Sequence, residues 1–134
     1  MANLDSASAS AAQQADTKPC PNCGKGLVPK SEPDSPPWFG PPPRLPKDNE
    51  TVLSSSDFLN TGKRALGKGA NARVFIQKST GRYCYRDKLH TGKGAELEVF
   101  DRQAKKHLGT MCSMCGHFST QKQDSKKDNK LHLG

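Results

Sequence analysis

A chain of 134 residues has room for one folded domain at most. Only 32% of its residues are hydrophobic and its mean hydropathy is −0.82. That excludes a large apolar core, and no run reaches the ~18 apolar residues a spanning helix needs, so no membrane insertion is expected. The net charge is +8, and all of the excess is on one piece: residues 60–109 hold twelve Lys and Arg against four Asp and Glu, and the rest of the chain holds nine of each. That density points to a polyanionic partner bound through salt-dependent phosphate contacts. The plainer alternative is a basic surface that only keeps the chain soluble.

Residues 1–19 are mostly Ala, Ser, Gln and Asp, with no apolar period and no basic, then apolar, secretory signal. Disorder is expected there, and export, if any, is expected to use a separate machine. Residues 20–28 carry Cys20 and Cys23 in a C-x-x-C knuckle closed by Gly24. Residues 29–62 read as a linker. Eight prolines between 29 and 46 favour stiff polyproline-type extension, Trp38 and Phe39 within them are expected to pack on the domain, and a weak helical patch runs from Val52 to Leu59.

From residue 63 the pattern changes. ARVFIQK (72–78) is β-branched and aromatic, and STG is a turn. RYCYRDK (82–88) alternates, with Tyr83, Tyr85 and Asp87 on one face. HTGKGA (90–95) is a glycine-rich connection. ELEVFD (96–101) puts Glu96, Glu98 and Phe100 on one face and Leu97 and Val99 on the other. The expectation for 63–109 is a small, mostly β, α+β domain: a twisted antiparallel meander of three or four strands with irregular or disordered flanks. Such a meander brings Asp87 and Glu98 to the same end of one sheet face, with His90 at the mouth of the loop. Residues 110–134 hold a second knuckle, Cys112 and Cys115 followed by Gly116, and a charged aperiodic tail expected to be disordered.

Cleaving RNA without a metal requires a base for the 2′-hydroxyl, an acid for the leaving 5′-oxygen and cations for the phosphate. The segment 82–107 offers Asp87, His90, Glu96, Glu98 and His107, interleaved with Arg82, Arg86, Lys88 and Lys93, and Tyr83 and Tyr85 can stack on unpaired bases. The competing view is that Glu96 and Glu98 pair with cross-strand cations and His90 is an ordinary loop residue.

YRDKLH, then ELE, then HLG, after the lead-in GKRALGKGANARVF, resembles the cytotoxic domain of the ribosome-inactivating colicins and cloacin over about residues 62–109. The resemblance implies a twisted antiparallel sheet and a metal-independent endoribonuclease that cleaves one phosphodiester of 16S ribosomal RNA at the decoding site and stops translation. It implies Asp87, His90 and Glu98 as the catalytic group. Glu98 would be the base, His90 the acid and Asp87 the residue that orients it; base and acid are interchangeable on this reading. It also implies the 30S subunit as target, an acidic immunity protein as partner, synthesis in a bacterial cytoplasm and action in the cytoplasm of a target cell. Two features depart from the family pattern. TGKGA stands where the family has a single residue, and no arginine follows Arg102, so Lys106 or Arg82 would have to replace a catalytic arginine.

Two thiolates from each knuckle, Cys20, Cys23, Cys112 and Cys115, could complete one tetrahedral structural Zn2+ site that clamps the flanks of the domain, with His117 as a substitute ligand. Redox-active or unrelated thiols are the alternatives. Cys84, mid-strand, reads as a buried small apolar residue. Beside the toxin stand a noncatalytic zinc-binding nucleic-acid or ribosome-binding protein and an inactive truncated toxin remnant.

Overall fold

The structure is a computed structural model that describes residues 16–66 and 71–133. Most of the N-terminus expected to be disordered, and Lys68 of the lead-in, lie outside the described residues. The fold is mostly β. A two-stranded ribbon pairs β1 (Thr17–Pro19) with β2 (Leu27–Pro29). A seven-stranded antiparallel sheet contains β3 (Phe58–Leu66), β4 (Ala72–Gln77), β5 (Tyr83–Arg86), β6 (Glu96–Phe100), β7 (His107–Cys112), β8 (Phe118–Ser119) and β9 (His132–Leu133). Its order is β8-β7-β6-β5-β4-β3-β9, so a meander runs from β3 to β8 and the C-terminus returns to the far edge beside β3. Among the described residues no helix is long and apolar enough to cross a membrane.

The expected meander is present and is longer than three or four strands. It begins at Phe58, inside the stretch read as linker, and includes the second cysteine segment. The period-two alternation sorts the side chains as read. Leu97, Val99, Cys84, Phe75 and Met111 form one core with Leu53. Phe100, Val74, Ala72 and Ala65 form a second with Leu131, and Tyr83 and Tyr85 pack against it. Burial pushes the Cys84 thiol up to about 12, as suits a packing residue.

Both faces are covered by segments that the sequence left irregular. Over the Leu97 face, residues 44–54 form a strap. Arg44 grips Glu50 through both carboxylate oxygens at 2.8 and 2.9 Å. Asp48 pairs with Arg86 at 2.5 Å and Arg73 at 3.3 Å. The patch read as helical is a single 3-10 turn, Val52–Ser54, and Leu53 from it enters the core. Trp38, 2% exposed, packs edge-on against Phe39 at 4.7 Å, and the Arg44 carbonyl accepts the Gly92 N–H at 2.9 Å, so the proline-rich stretch is held in place rather than free. Trp38→Ala is expected to cost about 3–5 kcal/mol, checked by the urea unfolding midpoint. Over the opposite face lies the C-terminal segment. It was expected to be disordered because its sequence lacks periodicity, but it is anchored by single polar contacts and by Leu131 rather than by an apolar stripe.

Candidate functional site

Register decides which acid meets which histidine. Tyr85 lies opposite Glu98 and Arg86 opposite Leu97, so Asp87 lies opposite Glu96, and its N–H donates to the Glu96 carbonyl at 3.1 Å. The loop then folds back. The Leu89 N–H donates to Asp87 Oδ1 at 3.0 Å and the His90 N–H to the Asp87 carbonyl at 3.2 Å. The imidazole arrives beside Glu96, with Nδ1 3.4 Å from Oε1. Ligand atoms of Asp87, His90 and Glu96 all lie within 4.8 Å of one another. Lys122 also reaches Glu96 at 2.8 Å.

Glu98 has a different histidine. It is 4% exposed and bonds His107 Nε2 through Oε2. His107 is fully buried, and its Nδ1 accepts the Asp124 N–H at 3.0 Å. A backbone amide can only donate, so the ring proton is on Nε2 and points at the carboxylate. A bulge between Val99 and Phe100 puts His107 opposite Phe100, where its ring lies edge-on at 5.3 Å. Lys127 donates to the other Glu98 oxygen at 2.9 Å. Burial alone would raise the Glu98 carboxyl, but the bonds from His107 and Lys127 outweigh it and hold the group below the ordinary carboxylate range. A depressed folded pKa contributes stability above the unfolded value of about 4.3, lost as pH falls through the folded pKa. Urea midpoints at pH 7 and pH 3 should therefore differ less in Glu98→Gln than in the wild type.

Asp87, Tyr85, Glu98 and Lys127 line a cleft of about 550 Å³, with Lys88, Lys126 and Lys130 at its rim. Burial, with Glu98 and Asp87 adding, raises the Tyr85 hydroxyl, which remains a donor. Its ring already stacks on Phe100 at 6.1 Å, and Tyr83 is half-buried. His90 and Glu96 line a neighbouring hollow of about 240 Å³. The structure thus brings Asp87, His90 and Glu96 together and gives Glu98 a cluster of its own on the same face of β6. Of the residues assigned to RNA, Lys88 and Lys93 are exposed. Arg82 lies over the Phe118 ring at 4.6 Å and Arg86 is held by Asp48 and the Pro46 carbonyl, so both serve the other face. The sequence reading missed Lys127, Lys126, Lys130 and Asp124. Their signal was the lysine-rich tail itself, the one place after Arg102 with enough cations to face a phosphate.

The four paired cysteines meet at the loop end of the same sheet, because Cys112 is opposite Glu96. The sulfurs of Cys20 and Cys112 are 3.7 Å apart and those of Cys23 and Cys115 are 3.4 Å apart; all four lie within 4.8 Å, close enough to hold a metal ion. A tetrahedron with metal–sulfur bonds of about 2.3 Å has edges of about 3.8 Å. Each knuckle turns amides toward its sulfurs: the Asn22 N–H to Cys20, Lys25 to Cys23 and Met114 to Cys112, all at 3.4 Å, with a further backbone bond from His117 to Cys115. Hydrogen bonds from Cys115 and Asn22 draw the Cys112 thiol well down, against its burial. Gly26 passes so close to Cys115 that any side chain there would overlap the sulfur. His117 is exposed and outside the cluster. No family model, curated protein or solved structure matches the chain.

Proposed function

We propose that the chain is an endoribonuclease toxin module that cuts 16S ribosomal RNA by acid/base chemistry. His90, oriented by Asp87 and Glu96, protonates the leaving oxygen. Glu98 accepts the 2′-hydroxyl proton. Lys127, with Lys88, Lys126 and Lys130, steadies the phosphate in place of an arginine. The observation that supports this most is a placement: Glu96, which holds His90, and Glu98 are one same-face step apart on β6. Such a step is about 7 Å, within the span of one ribose-phosphate unit. The lowered Glu98 pKa keeps the group ionised but makes it a weaker base, so the reaction leans on positioning and on the lysines. The 30S subunit is the target, and the same positive field would steer an acidic immunity protein in the producing cell. The chain would be made in a bacterial cytoplasm and act in that of a target cell.

The four-cysteine cluster is a structural zinc site on this reading, since an all-sulfur closed set leaves no position for substrate. It also favours a second reading, a zinc-dependent ribosome binder without catalysis. Zinc-loaded protein incubated with ribosomes should release a discrete 3′ fragment of 16S RNA, and His90→Ala and Glu98→Ala should release it at least about 100-fold more slowly. Ribosome binding with no fragment from the wild type would leave the second reading standing.

A further inference from the structure

Asn22 occupies the space between the two sites. It is 5% exposed and every polar atom of its side chain is used. Nδ2 donates to Cys112 Sγ at 3.2 Å and to the Ala95 carbonyl at 2.9 Å, and Oδ1 accepts the Gly94 N–H at 2.6 Å. Two acceptors face one end of the amide and a donor faces the other, so only one orientation of the group satisfies all three. Gly94, at φ +95°, carries the His90 ring against it: a Cβ built there would lie 3.2 Å from Nε2. Ala95 leads directly into Glu96, and its carbonyl also accepts the Ser113 N–H at 3.2 Å.

We propose that Asn22 is a positioning residue that ties His90 to the four-cysteine site, so that metal occupancy sets whether the acid/base cluster is assembled. A metal-bound thiolate is charged and fixed in place, so it accepts the Nδ2 hydrogen bond strongly; a sulfur no longer held by the ion accepts it poorly. When that acceptor weakens, the amide loses the anchor that holds residues 94–96 under the imidazole. The proposal rests on the nuclease reading for its catalytic consequence, but the mechanical linkage does not. It means that a reaction whose chemistry uses no metal is still lost on chelation.

Asn22→Ala retains all four sulfurs and should still bind one zinc per chain. Its Gly94 amide should exchange faster with solvent, its His90 ring resonances should move away from those of the zinc-loaded wild type, and kcat should fall about 10- to 100-fold with KM little changed. Asn22→Asp, which keeps the Gly94 acceptor but turns a carboxylate toward the Cys112 sulfur and the Ala95 carbonyl, should show the same changes at least as strongly and serves if the alanine variant does not fold. Gly94 exchange and His90 resonances identical to wild type in whichever zinc-loaded variant folds would overturn the linkage. If the wild type cleaves no RNA, the nuclease reading fails alone, because exchange and resonance still decide the linkage.

Discussion

Stripping the ion from the zinc-loaded protein is expected to release residues 16–30 and to lower the thermal midpoint sharply. The first knuckle belongs to a ribbon of two three-residue strands, which has no independent stability. Its apolar contacts are few: Cys20, Val28 and Cys112 form a cluster of their own, apart from both sheet cores. What holds 17–29 to β7 is therefore the sulfur cluster and Asn22. Binding free energy at structural zinc sites reaches on the order of 10 kcal/mol, comparable to the whole stability of a domain. Cys112→Ser should behave as the stripped protein does, because Cys112 is both one of the four clustered sulfurs and the last residue of β7. Limited proteolysis should then cut after Lys25 and Lys30 first, with the sheet outlasting the ribbon. Equal melting temperatures with and without zinc would show that the cluster carries no folding free energy.

The second large effect concerns the proposed RNA cleavage. His90→Ala is expected to lower RNA cleavage by about 10²- to 10⁴-fold, the range for a general acid or base, while leaving stability within about 0.5 kcal/mol, since His90 is half-buried on a loop. Glu98→Gln should lower both, because the carboxylate also holds His107 and Lys127. Lys127→Met separates the two roles. It removes the cation at the cleft but leaves the His107 bond, so it should slow cleavage more than it destabilises. Single-turnover rates and urea midpoints on the same preparations read both. A His90→Ala protein that cuts at the wild-type rate would rule out His90 as the proposed acid.

The alternation of RYCYRDK and ELEVFD was enough to put Tyr83, Tyr85, Asp87, Glu96, Glu98 and Phe100 on one face, because side chains in a strand can face only two ways. It was not enough to pair the acids with histidines. That depends on the loop between Asp87 and Glu96, which curls His90 onto Glu96, the nearer carboxylate. It depends also on the bulge at Val99 and Phe100, which slips β7 so that His107 meets Glu98. Neither leaves a periodic trace. The cysteine pairs were legible as knuckles and as a clamp across the domain, since C-x-x-C-G is a local pattern. Asn22 was not legible: its role depends on Gly94 and Cys112, 72 and 90 residues away. The tail was misread because Asp124, Lys127 and Asp128 hold it through one bond each to groups far along the chain.

The two outermost strands of the large sheet are two residues each, and among the described residues β9 covers Ala65 and Leu66 of the nine-residue β3. The uncovered part of β3 shifts register between Asn60 and Arg64 and bears Lys63 and Arg64. A kinked, charged border offers a foreign strand no straight row of amides and carbonyls to zip onto. An open sheet of this kind should therefore stay monomeric when concentrated, without closing into a barrel and without a second subunit to shield its margins.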